Sequence, residues 1–255
     1  MSRSRRGLLI VTANDWGGEI RATDGIAACF RGSRITGATA MVYMADSKRA
    51  SDLAREEGLS LGLHLNLTQP FDDPATPRPV QERQRRLLGH FARLRLRRWT
   101  YRPFLRSSVV SAIADQLEAF RSLYGVEPTH IDGHEHVHIC PEVLLSRALP
   151  RGTPIRTAHG WRSGVGPGDI ARRLRQRAIA RRFATTDYFF SVRSLVPRFG
   201  GTGLQAALEL SDRASVEVMT HPAVSDELEY LLSDAWSDAL RGRRLGTFTD
   251  LAEAF

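Results

Sequence analysis

The chain has little cysteine and lacks a long apolar run. Its 255 residues contain two cysteines, Cys29 and Cys140, which excludes a disulfide framework and a metal site built from paired cysteines. No apolar run reaches the roughly 18 residues that a membrane-spanning helix needs. The apolar stretch near the amino terminus is too short for a secretory signal, and Asn14 and Asp15 interrupt it. We therefore expect a protein of the reducing cytoplasm.

The composition is that of an ordinary globular protein. Hydrophobic residues make up 42% of the chain and charged residues 25%. We find no linker, internal repeat or low-complexity tract, so we expect one domain over residues 1–255. A single α/β barrel commonly has this length.

The net charge of +8 is unevenly distributed. One group of basic residues is interleaved with Trp99, Tyr101 and Phe104, and a second group falls in a predicted helix. Each is either a solvated face or a surface for an anionic or lipid-linked substrate carrier at a membrane. No recognition module for nucleic acid is present, so we expect no nucleic acid partner. The first group comprises Arg83, Arg85, Arg86, Arg93, Arg95, Arg97, Arg98, Arg102 and Arg106, and the second Arg172, Arg173, Arg175, Arg177, Arg181 and Arg182.

Short apolar runs alternate with helical patterns along the whole chain, which favours a parallel sheet flanked by helices. Seven or eight such units in this length indicate a barrel rather than an open sheet. A proline- and arginine-rich stretch at about 69–106 interrupts the alternation and reads as an insertion. The predicted strands are Leu8–Ala13, Ala38–Met44, Leu59–Asn66, Thr129–Asp132, Pro154–Ala158, Thr185–Phe190, Val216–His221 and Gly246–Thr249. The predicted helices are Ile20–Arg31, Ser47–Glu57, Ser107–Tyr124, Asp169–Phe183, Gly203–Leu210 and Ser225–Leu240.

Polar side chains follow four of the predicted strands at their carboxyl ends. In a barrel these ends share one face, where the reaction normally takes place. A lone Asp or His at such a position is usually a turn or capping residue, but four separate strand ends are hard to attribute to turns. The residues are Asn14 and Asp15, His64 and Asn66, Asp132 and His134, and His221.

Four of the eight histidines fall within residues 130–138, alternating with other residues together with Asp132. In extended backbone, side chains at this spacing point to one face. Imidazole and carboxylate groups together suit a divalent cation, so the run predicts a metal site. The members are His130, Asp132, His134, His136 and His138.

Several segments, in order, resemble the motifs of the YdjC-like carbohydrate deacetylases, which include chitooligosaccharide deacetylases and the deacetylase of hopanoid biosynthesis. They are Val11-Thr-Ala-Asn-Asp-Trp-Gly17, Gly62-Leu-His-Leu-Asn-Leu-Thr68, Thr129-His-Ile-Asp-Gly-His-Glu-His-Val-His138, Thr185-Thr-Asp-Tyr-Phe-Phe190 and Val218-Met-Thr-His-Pro222.

The resemblance implies an irregular (β/α) TIM-like barrel related to the polysaccharide deacetylase fold. It implies one divalent metal ion held by Asp15, His64 and His134, and a general acid, His221. Zinc, magnesium, manganese and cobalt all remain open as the metal, since such a donor set accepts several ions.

Other polar residues of these motifs are candidates to support the ligands or the substrate. Asn66, Asp132, His136 and His138 could hydrogen-bond the ligand imidazoles. Trp16 could form a wall of the sugar pocket or could simply pack in the core.

The first motif departs from the family at Asn14, where two adjacent aspartates are usual. An asparagine amide cannot accept a proton as a carboxylate does. Either Asp15 or another group is then the base, or the activity is weak, or the protein has another role. If Asn14 occupies the place of a missing base, Asn14→Asp should raise the activity.

The leading hypothesis is a metal-dependent hydrolase that removes an acetyl group from an N-acetylated sugar or glycoconjugate. The alternatives are a catalytically altered, carbohydrate-binding member of the family and a metal-dependent phosphodiesterase. The particular sugar and the oligomeric state, a homodimer included, stay open.

Overall fold

The computed structural model describes residues 7–91, 101–157 and 167–252. The strands are β1 (Leu8–Trp16), β2 (Gly37–Ala40), β3 (Leu61–Leu65), β4 (Ile131–Gly133), β5 (Tyr188–Ser191) and β6 (Ser215–Thr220). The helices are α1 (Ile20–Arg31), α2 (Ser47–Glu57), α3 (Arg78–Phe91), α4 (Arg106–Tyr124), α5 (Pro141–Leu144), α6 (Pro167–Ala180), α7 (Val192–Leu195), α8 (Leu204–Leu210), α9 (Ser225–Leu232), α10 (Asp234–Leu240) and α11 (Phe248–Ala252). Three 3₁₀ turns lie at Pro103–Leu105, His134–Ile139 and Pro197–Phe199.

The six strands form one parallel sheet in the order β4-β3-β2-β1-β6-β5. β1 lies inside the sheet, paired with β2 and β6, and is almost continuously buried, because helices cover parallel sheets on their faces. All six carboxyl ends meet at one edge, since every pairing is parallel. The predicted parallel α/β fold is confirmed.

Single bridges continue the sheet beyond β4. Ile131 pairs with Ile155, and Pro154 with Ala184, shortly before β5 begins. The sheet therefore curls, because both of its edge strands approach the same segment. A complete eight-stranded barrel stays a prediction.

The clearest helix predictions are confirmed. α1 and α2 have the predicted bounds, and α4 begins one residue before its predicted start. The last ends as predicted at Gly125, whose φ of 72° is the left-handed conformation that a helix C-cap favours.

Two predictions near the carboxyl terminus are wrong. The strand predicted at Gly246–Thr249 is absent from this described stretch, where Leu245 makes one bridge to Leu9 and α11 begins at Phe248. The helix predicted over Ser225–Leu240 is two helices, because Ser233 is extended and its hydroxyl caps α10 by accepting from the Trp236 N–H.

The insertion at 69–106 is partly helical. It contains α3, which packs on α4 and is tied to it by an ion pair between Arg83 and Asp115. Gln84 of α3 donates to the carbonyl oxygens of Asn66 and Gln69, at 3.2 and 2.7 Å, and so holds the loop that follows β3. Arg93, Arg95, Arg97, Arg98 and Trp99 lie outside the described residues.

Candidate active site

A cavity of about 440 Å³ opens at the carboxyl edge of the sheet. Residues at or just after the ends of β1, β3, β4 and β6 line it, which confirms that the predicted strand ends meet. The lining residues are Asn14, Asp15, His64, Gly133, His134, Glu135, His136, Met219 and His221.

Asp15 lies at an irregularity in β1. The pairing of β1 with β2 shifts between Ala13 and Trp16, and Asp15 has a φ of 72°, which is uncommon for a residue with a side chain. Such backbone conformations concentrate at functional sites. Here the irregularity accompanies a carboxylate that lines the cavity.

His64 lies between two carboxylates. Its Nε2 is 3.2 Å from Asp15 Oδ1, and its Nδ1 is 2.7 Å from Asp132 Oδ1. Burial alone would lower the pKa of His64, but the two carboxylates outweigh it and raise the pKa to about 9. Asp132 thus fixes the orientation of the ring and leaves Nε2 facing Asp15.

The carboxylates keep their charge because cations surround them. Burial would raise the pKa of Asp132, yet the Arg156 guanidinium and the His64 imidazole lower it well below its usual range. Burial likewise opposes ionisation of Asp15, and His64, with smaller effects from His221 and His134, lowers the pKa of that carboxyl.

His134 directly follows β4. Its ring lies 5.8 Å from that of His64, nearly perpendicular to it, and its Nδ1 is 2.6 Å from Thr68 Oγ1. Asn66 organises the loop that carries Thr68, because its Oδ1 accepts from the Thr68 and Gln69 N–H groups. Asn66 thus supports His134 through Thr68.

His221 follows β6 on the opposite side of β1 from His64. Its backbone N–H donates to Glu227 Oε1 at 2.5 Å, which ties the turn after β6 to the first turn of α9. Burial lowers the pKa of the His221 imidazole. The ring is therefore neutral near pH 7 and can accept a proton before it donates one.

The extended backbone predicted for residues 130–138 is wrong beyond Gly133. Residues 134–139 form a 3₁₀ turn in which Glu135 and His136 have φ values of 53° and 59°. The alternation is consequently lost. His136 lines the cavity, whereas His138 is fully buried with neither ring nitrogen hydrogen-bonded, and it is not among the lining residues.

Two other aromatic side chains of the motifs lie in the interior. The His130 ring stacks on Phe248 at 3.7 Å and does not line the cavity. Trp16 is fully buried within the main apolar cluster, so the structure places it in the core and not on the cavity wall.

The sequence analysis missed a buried ionic network beneath the cavity. Arg156 is wholly buried and forms ion pairs with Asp132 and with Glu217, the latter at 2.8 Å. Thr39 Oγ1 lies 3.2 Å from His64 Nδ1 and from Asp132 Oδ2. A charged residue inside the apolar segment Pro154–Ala158 was the available signal, because buried charges are nearly always paired.

The described residues contain no group of three His, Cys, Asp or Glu side chains already arranged to hold a metal ion. The donors nevertheless fit one in kind and place. Asp15 Oδ1 is buried, and His64 Nε2 is the polar atom that it faces, at 3.2 Å. His134 lines the same cavity, and a carboxylate with two imidazoles is a usual set for a divalent ion.

Fold and site together define a parallel α/β protein with a carboxylate–histidine cavity at the carboxyl ends of its strands. The family model described as YdjC-like protein matches residues 8–244, and the chain therefore belongs to the YdjC-like family.

Named relatives and a solved structure agree with this assignment. A chitooligosaccharide deacetylase of Citrobacter koseri is 30% identical, over 96% of this chain and 99% of that protein. A carbohydrate deacetylase of Danio rerio is 34% identical over 53% of this chain, and the match spans 43% of that longer protein. An Enterococcus faecalis protein, described as a cellobiose-phosphate cleavage protein, has the same fold with a TM-score of 0.68 at 20% identity, covering 96% of this chain and 99% of its own.

Proposed function

We propose that the protein is a hydrolase that removes the acetyl group from an N-acetylated sugar or glycoconjugate with the help of one divalent metal ion. The observation that carries the proposal is the cavity shared by Asp15, His64, His134 and His221. The deacetylase names of the relatives support the reaction class.

Asp15, His64 and His134 would hold the ion. Zinc, magnesium, manganese and cobalt are the candidates, because this donor set accepts each of them. A bound ion of this kind polarises a carbonyl group and lowers the pKa of bound water. Asp132 and Thr68 orient the two imidazoles through their Nδ1 atoms.

His221 would move the proton. Its ring is neutral near pH 7, so it can take a proton as water adds to the acetyl group and pass it to the departing sugar amine. Asp15 is a second acceptor in the cavity. Asn14 is not, because an amide does not take up a proton near neutral pH.

The test is acetate release by metal-stripped protein, screened over N-acetylated sugars with zinc, magnesium, manganese or cobalt added singly. Acetate release that depends on one of the ions supports the proposal. Sugar binding without release, in all ions, would favour a catalytically altered binding protein, a reading that Asn14 motivates. Cleavage of a phosphodiester probe without acetate release would favour a phosphodiesterase.

We also propose that the chain forms an irregular (β/α) TIM-like barrel and works in the cytoplasm. The bridges through Ile155 and Ala184 support closure of the sheet. The two cysteines, Cys29 and Cys140, are both buried and build no disulfide framework, which suits a reducing compartment. No helix within the described ranges is long and apolar enough to span a bilayer.

We propose further that a lipid-linked substrate carrier or the anionic membrane surface around it binds near α3. Phe104 and Tyr101 are 67% and 40% exposed, and Phe104 contacts His90 of α3 at 5.5 Å between ring centroids. Three exposed arginines on α3 and at the start of α4 form no ion pair within the described residues, namely Arg85, Arg86 and Arg106.

Flotation with vesicles containing phosphatidylglycerol tests this surface. Arg85→Gln, Arg86→Gln and Arg106→Gln together should abolish binding, which should also weaken with salt. The matched control removes the same charge elsewhere, at Arg31, Arg198 and Arg241, which pair with carboxylates. Equal binding by both triple variants would exclude a specific surface.

A further inference from the structure

We propose that Asn14 is a hydrogen-bond donor to the acetyl carbonyl oxygen of the substrate and that Arg156 is the positioning residue that fixes its orientation. This inference rests on the proposed deacetylase function. It assigns a role to the position at which the chain departs from its family.

The oxygen of the Asn14 amide faces the buried network. Arg156 Nη2 lies 3.0 Å from Asn14 Oδ1, and Thr39 Oγ1 lies 3.3 Å from the same atom. A guanidinium has only donors. The Asn14 atom beside Arg156 must therefore be the oxygen, because the amide nitrogen would place two donors against each other.

The amide nitrogen is consequently the Asn14 side-chain atom that faces the cavity. Asn14 lines the cavity, and its Nδ2 donates to no protein atom in the described part of the chain. Nδ2 is also not one of the buried side-chain nitrogen and oxygen atoms that have no hydrogen-bond partner. An N–H group at this place can meet an acceptor oxygen of a bound ligand.

Arg156 itself cannot easily turn away. Its Nε and Nη2 both lie 2.8 Å from Glu217 Oε1, it pairs with Asp132 on its other side, and its guanidinium lies 5.1 Å from the Phe189 ring centroid. Because the side chain is fully buried and held from three directions, it imposes the amide orientation on Asn14.

The charge balance explains why the residue is neutral. The Arg156 guanidinium and the His64 imidazole already face three carboxyl groups, those of Asp15, Asp132 and Glu217. A fourth carboxyl group at position 14 would add an uncompensated negative charge in the same buried network, which is costly. Asparagine satisfies Arg156 without that charge.

The chemistry needs a donor at this point. When the oxygen of water bonds to the acetyl carbon, the electron pair of the C=O π bond moves onto the carbonyl oxygen. When the C–N bond then breaks, that pair returns to the carbonyl, and the sugar amine leaves with a proton as acetate forms. A fixed N–H group stabilises the negative oxygen between the two events.

Rates of acetate release give the first test. Asn14→Ala and Asn14→Asp both lack the N–H group, so each should lower kcat about 10²- to 10³-fold, the range for loss of one such donor, with KM little changed. An increase in kcat for Asn14→Asp would overturn the inference and restore the missing-base interpretation. Absence of acetate release by the wild-type protein would instead defeat the proposed function.

Nuclear magnetic resonance of the metal-stripped protein gives a second test that needs no turnover. The chain contains only two asparagines, Asn14 and Asn66, so selective ¹⁵N-asparagine labelling yields two side-chain NH₂ signals, assigned with Asn14→Asp. N,N′-diacetylchitobiose should shift the Asn14 signal, and the fully deacetylated disaccharide should not. Asn66 is the internal control, because it is wholly buried and its Nδ2 donates to the Gln69 carbonyl oxygen at 3.2 Å.

The assigned contact would be contradicted if the acetylated sugar shifted other resonances but left the Asn14 signal unchanged. Arg156→Lys adds a check on positioning. Lysine keeps the charge but loses the planar fork, so the Asn14 signal should broaden or double and kcat should fall, with Asn66 unchanged. An unaltered Asn14 signal and kcat in this folded variant would remove Arg156 from the inference.

Discussion

His64 joins the two polar parts of the site. One ring nitrogen faces Asp132 and the buried network, and the other faces Asp15 and the cavity. In the metal-free protein the raised pKa of His64, about 9, favours a proton on the ring nitrogen that faces Asp15. A divalent ion would replace that proton, which is the electrostatic reason for assigning these two residues as ligands.

Loss of either ligand imidazole should remove the metal and the activity together. We expect His64→Ala and His134→Ala to retain the fold and to lose bound metal, measured by elemental analysis after dialysis, along with acetate release. His90→Ala is the control, because His90 lies on α3 and does not line the cavity. Full metal content in both ligand variants would show that the ion binds elsewhere.

His221 should matter for turnover and not for metal content. His221→Ala should lower kcat about 10²- to 10⁴-fold, the usual contribution of one proton-transfer group. Burial lowers the pKa of this ring, so the wild-type rate should decline only as the pH falls below its ordinary value of about 6.5. The variant should lack that decline. Normal kcat in His221→Ala would exclude the residue from the mechanism.

The sequence predicted which polar residues gather at the site better than it predicted what each side chain touches. Asp15, His64, His134 and His221 were found because strand ends converge in a parallel sheet. Arg156 and Glu217 were missed, since they lie 61 residues apart along the chain and no local spacing encodes their pairing. The orientation of the Asn14 amide likewise depends on this distant guanidinium.

At the scale of elements, local sequence signals located the helices, and tertiary contacts decided the ends. The strand predicted at Thr129–Asp132 corresponds to β4, but the alternation of side chains expected to continue to His138 is lost, because a tight turn follows Gly133. A Cβ atom on Gly133 would come within 2.9 Å of the backbone nitrogen of His138, so the turn packs directly on this glycine. A period-two pattern cannot reveal such a close approach.

The junction of β6 and α9 supplies an element-scale prediction. Glu227 is fully buried in the first turn of α9 and accepts from the His221 N–H. Burial raises its pKa to about 7. Because the unfolded chain ionises near pH 4.5, the folded state loses stability as the pH rises from about 4.5 through 7.

Glu227→Gln should remove this pH dependence while keeping the acceptor for the His221 N–H. We expect the variant to gain on the order of 3 kcal/mol over the wild type at pH 8, and little at pH 4.5. Urea denaturation at the two pH values measures the difference. An equal gain in the free energy of unfolding at both pH values would mean that the substitution acts through packing and not through ionisation. Glu209→Gln, the same change at an exposed residue of α8, is the control.

The whole molecule is a curled parallel sheet with charged groups sealed inside it. Alternation of strands and helices was enough to predict the layers, because a parallel sheet must be covered on its faces. The strand predicted at Gly246–Thr249 was wrong, since a short apolar run is also compatible with a helix. In the described residues the carboxyl-terminal segment instead places Phe248 under the sheet, against His130.

The buried titratable groups predict that metal-free protein is most stable near pH 6.5. As the pH falls from about 9, the folded state binds a proton at His64 before the unfolded chain does, and stability rises. Below about pH 6.5 the dependence on pH reverses, and stability falls as the pH falls. Burial lowers the pKa of His130 to about 3 and that of His138 well below its usual value, so only the unfolded chain takes up those two protons.

Stability still falls below about pH 6.5 despite the opposing effect of buried carboxyl groups. Glu227 and Glu217, whose pKa values burial raises, favour the folded state as the pH falls. Four imidazoles whose pKa values burial lowers disfavour it, namely His130, His134, His138 and His221. More protons are therefore taken up by the unfolded chain than by the folded protein between roughly pH 6 and 5, and stability falls with the pH. Free energies of unfolding measured from pH 5 to 9 test this. His64→Gln should lose the alkaline slope and keep the acidic one, because only the former depends on the imidazole between Asp15 and Asp132. A maximum that stays above pH 8 in the wild type would mean that His130 and His138 are protonated in the folded protein, and hence that the interior beneath the cavity admits water.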